Sequence, residues 1–368
     1  MAKNAIFIAA TGKHVGKTTT SLGIFSGLQQ RCQSVGFIKP IGQQYIKINE
    51  TLMIDKDVYL LKNYFNLKTN IFDMSPVLLP SGFTRNFLDK KISKKKLKEK
   101  ILLAFEKISS SNAYVLVEGT GHLGVGSIVN LNNAQVAKIL NLDVVIVAPG
   151  GIGSTFDELS LNVMMCKKHK VRIRGIILNR VFDDKRDMII EYVSKALKRW
   201  KIPLIGCIPF NKFLSAPSMK DFENLFKTKL ISGKKHQYRH FLHMHFVAAL
   251  SVDQYMKMKI SNQMIVTHSK REDIILATIE KHKIGKNNKN DPKGGMILTS
   301  PIPPNKNIIE KAKEIDLPII YIPMTAYEVI DMISHHIGKI RNEDTQKIEK
   351  AISLVKENIN FDSLVRSS

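Results

Sequence analysis

The residues with the clearest chemistry lie in the segment ATGKHVGKTTT at 10–20, between an apolar run and a helical pattern. Backbone N–H groups of a glycine turn and of a helix N-terminus converge on anions, so this segment predicts a phosphate-binding loop. Gly16 lets the backbone approach the ligand, Lys17 reaches the outer phosphates, and the Thr18 hydroxyl can ligate Mg²⁺. The strict spacing G-x-x-x-x-G-K-T requires glycine where this chain has Thr11, so the loop is a variant.

Glu118 is the candidate for a further metal ligand. It follows the apolar run YVLV at 114–117, and the carboxyl ends of strands in a parallel sheet face the ligand crevice. Mg²⁺ prefers hard oxygen ligands such as carboxylates. We therefore expect Glu118 to hold the metal together with Thr18; the alternative is a solvated carboxylate at a strand end.

Apolar runs of strand length alternate with amphipathic helical patterns over about the first 210 residues. Nearly continuous apolar strands between helices are typical of a parallel sheet that is covered on both faces. The predicted fold class is α/β, a P-loop NTPase-type parallel sheet with helices on both faces, plus a second smaller α/β domain. The strands predicted for the first domain are Ala5 to Ala10, Ser34 to Ile38, Ala113 to Val117, Val144 to Val147, Arg174 to Leu178 and Pro203 to Ile208.

The apolar pattern weakens after residue 212 and then resumes, which predicts a linker and a second domain. Residues 285–295, GKNNKNDPKGG, have no apolar periodicity and predict a mobile loop. The expected segments are a first domain at 1–212, a linker at 213–238, a second domain at 239–340, and a C-terminal helix (Glu343 to Ile359) and tail at 341–368. The strands and helices predicted for the second domain are Met264 to Thr267, Gly295 to Thr299, Pro318 to Ile322, Arg271 to Lys281, Asn307 to Ile315 and Ala326 to Ile333.

Composition limits the classes of partner. The 368 residues include 56 Lys and Arg against 32 Asp and Glu, a formal charge of +24, but the lysines recur in every region. Because aromatic residues do not recur along the basic runs as stacking platforms would, a compositional bias is favoured over a nucleic-acid surface. Three widely spaced cysteines and the lack of a long apolar run predict a cytoplasmic protein with no membrane partner and no specific nucleic-acid partner.

Several motifs taken together carry a family resemblance. They are ATGKHVGKTTTSLG at 10–23, VGFIKPIGQ at 35–43, IDKDVYLL at 54–61, VEGTGHLG at 117–124, IRGIILNRV at 173–181 and PLIGCIP at 203–209. Over about residues 1–212 the chain resembles the dethiobiotin synthetase-like P-loop proteins, in particular the N-terminal region of long-form phosphotransacetylases. In those enzymes a DRTGG domain follows, and residues 239–340 resemble that domain.

The resemblance implies ATP and Mg²⁺ as cofactors. Thr18, Asp57 and Glu118 match the family's magnesium ligands, with Asp55 as the alternative to Asp57. The positions that match its nucleotide-binding residues are Gly12, Lys13, His14, Val15, Gly16, Lys17, Thr18, Thr19, Asn179 and Pro209, the last two at the nucleotide base. For Asn179 the alternative is a turn residue that follows its strand.

Lys17 and Lys39 are the candidate catalytic residues. Lys17 matches the family's phosphate-binding lysine, and Lys39 matches the lysine that stabilises charge near the γ-phosphate. Such electrostatic stabilisers look like any exposed lysine in a sequence, so a strand-end lysine is the alternative for Lys39.

Two stretches of the first domain depart from the family pattern. The synthetases have Gly-Thr-Asp-Thr where this chain has Ala-Thr-Gly-Lys at 10–13, and Gly-Ala-Gly-Gly where it has Gly-Thr-Gly-His at 119–122. In the second domain the chain has Ser-Lys-Arg at 269–271 where the DRTGG pattern has Gly-Asp-Arg. Only Arg271 and Asp273 can therefore be matched to that pattern. We expect a small-molecule ligand there, of a class that the sequence does not indicate.

These departures leave two functions open. One is a nucleotide-responsive regulatory protein or slow NTPase, like the regulatory half of phosphotransacetylase. The other is an ATP-dependent ligase of the dethiobiotin or cobyrinate diamide synthase type, acting on a small carboxylated substrate. Acetyl transfer by this chain is not expected, because the acetyltransferase domain needs about 300 further residues. We also expect a homo-oligomer.

The remaining residues of metal-binding or nucleophilic type are expected to be structural. His240, His243 and His245 have a spacing that zinc could use, but FLHMHFVAAL alternates as a strand, which separates His240 from the other two. A nucleophilic cysteine would need a histidine partner. Cys166 lies in a helical pattern, Cys32 follows the first helix and Cys207 lies in a strand, so all three are expected to be core or surface residues.

Overall fold

The computed structural model describes residues 4–47, 53–259, 261–287, 292–336, 338 and 340–365, with only the backbone described at 286 and 287. The chain forms two compact units, one of Met1–Asn211 with Ile340–Ser368 and one of Lys212–Lys339. Within the described ranges no helix combines the length and the apolar character that crossing a membrane requires.

The helices and strands alternate along both units. The strands are β1 (Ala5–Ala10), β2 (Val35–Ile38), β3 (Ile41–Gly42), β4 (Tyr45–Lys47), β5 (Met53–Asp55), β6 (Val77–Leu78), β7 (Tyr114–His122), β8 (Val144–Pro149), β9 (Ile173–Val181), β10 (Leu204–Pro209), β11 (Leu230–Ser232), β12 (His243–Phe246), β13 (Gln263–His268), β14 (Gly295–Thr299) and β15 (Ile319–Ile322). The helices are α1 (Lys17–Gln29), α2 (Lys56–Tyr64), α3 (Ile71–Met74), α4 (Phe83–Leu88), α5 (Lys94–Ser110), α6 (Asn133–Leu140), α7 (Gly153–Lys168), α8 (Arg186–Leu197), α9 (Lys212–Ser215), α10 (Met219–Phe226), α11 (Val252–Lys257), α12 (Glu272–Asn287), α13 (Lys306–Glu314), α14 (Ala326–Ser334), α15 (Thr345–Asn358) and α16 (Asp362–Val365).

The first unit is built on a parallel sheet with the strand order β10-β9-β8-β1-β7-β2. β1 is buried along its whole length, and so is most of β8, which explains the nearly continuous apolar runs of these strands. The strand order reverses at β1, so right-handed crossovers cover both faces of the sheet with helices. The predicted fold class is confirmed, and the reversal places a ligand crevice at the carboxyl end of β1.

β7 is longer than the sequence indicated. It was predicted to end at Val117 but continues through Glu118 to His122, with an irregularity in its pairing with β1. Glu118 pairs in register with Ile8 of β1. The carboxylate therefore lies within the sheet rather than on a loop.

The C-terminal helix packs on α1 in the first unit. α1 offers two glycines to this contact: a Cβ at Gly23 would lie 2.2 Å from the Val355 Cβ, and one at Gly27 would lie 2.2 Å from the Phe361 ring. The close approach requires residues without side chains at both positions. The segment after the second unit thus completes the core of the first.

The second unit contains a sheet with the order β11-β15-β14-β13-β12, in which only β11 runs antiparallel to its neighbour among the described strands. Met296 and Leu298 of β14 belong to one apolar cluster, with Tyr255, and Ile297 belongs to another, with Phe222. Successive side chains of a strand point to opposite faces, so the sheet is covered on both. This is the second smaller α/β domain that was predicted.

The prediction that residues 213–238 form a linker is wrong. This segment contains α9, α10 and β11, and β11 pairs with β15 in the sheet of the second unit. Met219 and Phe222 of α10 are fully buried, and Ser218 and Asp221 form a capping box at its start. These elements are too short for apolar periodicity to reveal them in the sequence.

The mobile loop predicted at 285–295 falls partly outside the described residues. At its first residues the prediction is wrong, because α12 continues to Asn287 rather than ending near Lys281. At its other end β14 begins at Gly295, as the apolar run GMILT predicts.

Candidate functional site

The predicted phosphate-binding loop connects the end of β1 at Ala10 to the start of α1 at Lys17. Gly16 precedes the helix with φ 93° and ψ 27°, a left-handed conformation that favours glycine. Asn179 braces the loop, because its Nδ2 donates a 2.8 Å hydrogen bond to the carbonyl of Val15. The loop therefore has the strand, turn and helix context that phosphate binding requires.

Thr11 replaces the first glycine of the strict pattern and is anchored by α7. Its Oγ1 donates to Glu158 Oε2 at 2.7 Å, and Asn162 Nδ2 donates to the Thr11 carbonyl at 3.3 Å. The Asn162 Oδ1 accepts from the backbone N–H of Leu123 at 3.0 Å, so one side chain joins the phosphate loop to the segment after β7. The sequence did not point to Glu158 or Asn162; their spacing of four residues on one helical face was the available signal.

Three oxygen-bearing side chains converge at the start of α1. Thr18 Oγ1 donates to Asp57 Oδ1 at 3.0 Å, and Glu118 is fully buried on the neighbouring strand. Among the described residues, neither Glu118 oxygen has a hydrogen-bond partner of normal geometry. A hydroxyl and two carboxylates, one of them buried without such a partner, fit the ligand preference of Mg²⁺.

Asp55 has a different place from Asp57. Its Oδ1 accepts a 2.9 Å hydrogen bond from the Asp57 N–H and so caps the N-terminus of α2. Asp57, rather than Asp55, is the carboxylate that contacts Thr18.

Two lysines reach this group of carboxylates. Lys39 Nζ lies 2.9 Å from Asp55 Oδ1, in direct contact with Asp57 Oδ2 and 3.9 Å from Glu118 Oε1. Its side chain is 4% exposed, so Lys39 is not the exposed strand-end lysine that was its alternative. Lys17 Nζ lies 4.0 Å from the same Glu118 oxygen.

Burial and mutual attraction set the protonation of these groups. Burial and the charge of Asp57 raise the pKa of Glu118 to about 7, although Lys17 and Lys39 oppose the shift. Burial lowers the pKa of Lys17. Burial also disfavours the charged forms of Lys39 and Asp57, but their attraction outweighs it, so the pKa of Lys39 is raised and that of Asp57 is lowered. Burial raises the pKa of Asp55 despite its contact with Lys39.

The segment 119–122, where the family pattern is lost, is held from two sides. Asn133 Nδ2 donates to the carbonyls of Thr120 and His122, both at 2.7 Å, and its Oδ1 accepts from the Thr120 N–H at 3.1 Å. The Thr120 hydroxyl donates to the Ile41 carbonyl. These bonds fix the backbone of this segment, which forms the carboxyl end of β7.

The other predicted nucleotide-binding residues lie in the loop, in α1 or, for Pro209, at the end of a strand two positions beyond the neighbour of β1. Lys13 and His14 are exposed, and Gly12 and Thr19 are half-buried. Pro209 ends β10, where it pairs with Val181 of β9. The roles of Asn179 and Pro209 at a nucleotide base remain predictions.

The remaining candidates form no metal or thiol centre in the part of the chain that the structure describes. There, no group of three or more His, Cys, Asp or Glu side chains could hold a metal ion. His243 and His245 lie on β12, as the alternation predicted, while His240 precedes the strand. The cysteines are free thiols, and burial raises the pKa of both Cys166 and Cys207.

Arg271 and Asp273 of the second unit form an internal clamp. The Arg271 guanidinium pairs with the Asp273 carboxylate at 2.8 and 2.9 Å and donates to the carbonyls of Ala248 and Leu250 at 2.5 and 2.7 Å. Both residues thus hold the start of α12 against the segment after β12.

Comparison with known families agrees with this geometry. Residues 4–218 match the AAA_26 family model, which is described as an AAA domain. The chain belongs to the AAA_26 family. Residues 223–336 match the DRTGG domain, so the chain combines a dethiobiotin synthetase-like P-loop domain with a DRTGG domain, as the motifs predicted.

Relatives of this AAA_26 protein include phosphate acetyltransferases and dethiobiotin synthetases. It is 26% identical over 384 residues to the phosphate acetyltransferase of Pseudomonas aeruginosa and 23% identical over 377 residues to that of Nitrosomonas europaea, matching 98% and 99% of this chain. The chain spans about half the length of these relatives, 51% in each case. It is also 27% identical over 220 residues to the ATP-dependent dethiobiotin synthetase BioD of Nitrosopumilus maritimus, which covers 58% of this chain and 92% of BioD.

Solved structures similar to this AAA_26 protein include the MinD cell division protein of Aquifex aeolicus, with a TM-score of 0.35, 16% identity and coverage of 56% of this chain and 83% of MinD. The ParA family ATPase of Chlorobium tepidum has a TM-score of 0.33, 16% identity and coverage of 58% of this chain and 86% of its own.

Proposed function

We propose that the first unit binds ATP together with Mg²⁺ and that the protein is a nucleotide-responsive regulatory protein with slow or no hydrolysis. The observation that carries the binding proposal is Glu118, a fully buried carboxylate without a hydrogen-bond partner of normal geometry among the described residues, located 4.0 Å from Lys17. A buried carboxylate is costly unless a cation compensates it. Lys17 and Lys39 lie 4.0 and 3.9 Å from Glu118 Oε1, beyond hydrogen-bond distance, so a metal ion beside the phosphates would complete that compensation.

Each residue of the site then has a role in binding. Backbone N–H groups of residues 12–19 and the Lys17 ammonium hold the phosphates, and Thr18, Asp57 and Glu118 would hold Mg²⁺. The metal would neutralise charge on the phosphate oxygens. The nucleotide base would lie near Asn179 and Pro209.

The proposal of regulation rests on the segment 119–122. In the synthetases this position is Gly-Ala-Gly-Gly, whereas here the Thr120 hydroxyl, which alanine lacks, donates to the Ile41 carbonyl, and Asn133 donates to the backbone carbonyls of Thr120 and His122. A segment with these internal bonds has fewer free groups to offer to a substrate. The DRTGG domain would then respond to the nucleotide, which requires that ATP have different affinities for two states of the protein.

A second candidate function is an ATP-dependent ligase of the dethiobiotin or cobyrinate diamide synthase type. The observation that favours it is Lys39, which is buried among the carboxylates where a charge-stabilising lysine of such an enzyme is expected. The substrate would be a small carboxylated molecule placed beside the γ-phosphate.

Three measurements on the full chain test these proposals. In a thermal-shift assay, ATP and Mg²⁺ should raise the Tm of the wild type but not that of Lys17→Ala, because the variant lacks the charge that meets the β and γ phosphates. Lys138→Ala, an exposed lysine of α6, is the matched control. Equal stabilisation of wild type and Lys17→Ala would reject the binding proposal.

Regulation and ligation are separated by the other two measurements. Hydrogen exchange of residues 239–340 should change when ATP and Mg²⁺ are added, and should not change in Lys17→Ala. Turnover of diaminopelargonic acid with bicarbonate and ATP would instead favour the ligase. Exchange changes confined to residues 1–212, without turnover, would reject the regulatory proposal.

Other properties follow as parts of the same proposal. We place the protein in the cytoplasm as a homo-oligomer, with a small-molecule ligand for the DRTGG domain and without a membrane or specific nucleic-acid partner.

A further inference from the structure

The Lys39 ammonium is surrounded by carboxylates. It lies 2.9 Å from Asp55 Oδ1, contacts Asp57 Oδ2 directly and lies 3.9 Å from Glu118 Oε1. The Lys39, Asp55 and Glu118 side chains are 4%, 0% and 0% exposed, so water screens these attractions only weakly. Lys39 is therefore the principal positive charge that compensates this group.

Two of these three carboxylates are also the proposed metal ligands. Asp57 contacts Thr18, the third proposed ligand, while its other oxygen contacts Lys39. A divalent cation at these carboxylates would repel the Lys39 ammonium, because like charges a few ångströms apart are poorly screened in a buried site. Binding of the metal therefore disfavours the present position of Lys39.

We propose that Lys39 is a tethered cation that competes with a divalent metal for Asp57 and Glu118, and that it leaves them when the metal binds. This inference rests on the proposed function, since it takes Asp57 and Glu118 as the metal ligands. Lysine suits the role because its ammonium is a compact charge on a flexible four-carbon stem.

Asp55 determines where the ammonium can go. This carboxylate contacts Lys39 but not Thr18, and its Oδ2 has no hydrogen-bond partner among the described residues. Asp55 can thus keep the ammonium near the site after the contact between Lys39 and Asp57 is broken. The γ-phosphate of a bound nucleotide would offer Lys39 a second anionic partner, so the metal should bind much more tightly with nucleotide than without it.

The test measures Mn²⁺ binding to the full chain without nucleotide, by the loss of the free-ion electron paramagnetic resonance signal. Lys39→Met should bind Mn²⁺ at least tenfold more tightly than the wild type, because the competing charge is gone. Lys39→Arg keeps the charge and should bind Mn²⁺ as weakly as the wild type. Lys138→Met, on the exposed surface of α6, controls for loss of charge elsewhere and should also match the wild type.

A second variant covers a failure to fold. Removing the ammonium leaves Asp55 buried without its partner, so Lys39→Met is measured beside the double variant Lys39→Met/Asp55→Asn. Mn²⁺ should raise the Tm of either variant more than that of the wild type. Mn²⁺ binding to the folded variants that is no tighter than to the wild type would overturn the inference.

A nucleotide measurement separates this inference from the proposed function. Binding of a fluorescent ATP analogue with Mg²⁺ is measured on the wild type. Intact analogue binding with equal Mn²⁺ affinities in wild type and variants would reject only the role of Lys39. Tighter Mn²⁺ binding by the variants without analogue binding would leave that role standing and reject the nucleotide site.

Discussion

Asn179 lies against Gly16, with its Nδ2 2.1 Å from the position that a Cβ at residue 16 would take. The same Nδ2 donates to the carbonyl of Val15. The carboxyl end of β9 therefore packs so closely against the phosphate-binding loop that a Cβ at Gly16 would overlap the Asn179 side chain. Gly16 also has φ 93°, so both its conformation and its neighbour favour glycine.

Gly16→Ala should destabilise the protein by about 2 kcal/mol or more, because a Cβ disfavours the left-handed conformation and meets the Asn179 amide. Asn179→Ala should cost about 1 kcal/mol through the lost hydrogen bond. Urea unfolding of the full chain measures both.

The double variant tests whether the two residues act on each other. In Gly16→Ala/Asn179→Ala the close contact is relieved while the backbone strain stays, so the loss should be smaller than the sum of the two single losses. A strictly additive result would show that the contact carries no energy.

Glu118→Gln should change how stability depends on pH. The pKa of Glu118 is about 7 in the folded protein against an ordinary value of 4.5, chiefly because the carboxylate is buried. Folding therefore takes up a proton between these values, and the stability of the wild type falls as the pH rises through this window. Without metal, Glu118→Gln should match the wild type below about pH 4.5 and exceed it by about 3 kcal/mol at pH 8.

Chemical unfolding at a series of pH values measures this difference. Glu106→Gln, which alters an exposed carboxylate on α5, is the control. A difference between Glu118→Gln and wild type that stays constant from pH 5 to 8 would contradict the prediction.

Asn162→Ala should loosen the phosphate-binding loop. It removes hydrogen bonds to the Thr11 carbonyl and the Leu123 N–H, and Asn162 is 6% exposed, so water replaces them poorly. We expect a stability loss of about 2 kcal/mol and weaker ATP binding. Leu161→Ala, at a position 76% exposed on the same helix, should change stability by less than about 0.5 kcal/mol.

Calorimetric titration with ATP and Mg²⁺ and thermal unfolding test both variants. If Asn162→Ala bound ATP as tightly as Leu161→Ala did, the bridge from α7 would not matter for the nucleotide.

Binding to nucleic acid should be weak and independent of sequence. The charge of +24 comes from scattered lysines, including the exposed Lys94, Lys95 and Lys96 at the start of α5. Such lysines supply only attraction to phosphates, which falls steeply with salt. Fluorescence anisotropy with two unrelated DNA duplexes should give equal affinities, lost between 50 and 200 mM salt, as expected for purely electrostatic binding. Selective binding at physiological salt would contradict this.

The fold of the first unit was predictable because its strands are buried on both faces. Burial on both faces demands unbroken apolar runs, and these stand out in β1 and β8. The predicted ends were too early where polar residues continue a strand, as at Glu118 and His122 of β7. Backbone pairing with β1, which the residue types do not encode, extends that strand.

The elements that the sequence missed are short ones. α10 and β11 appeared as a linker because eight and three residues give no clear period, and contacts in the second unit contribute to their stability. The packing of the C-terminal segment on α1 was missed for another reason. It depends on Gly23 and Gly27, whose function is to leave room for side chains more than 300 residues away in the chain.

For the site, the sequence determined the residue types and their order. Gly16, Lys17 and Thr18 are adjacent, so their roles follow from local backbone geometry alone. The position of Lys39 between Asp55, Asp57 and Glu118 was decided only by the tertiary structure. Three separate segments have to meet there, and the attraction between buried charges depends on distances that no local pattern fixes.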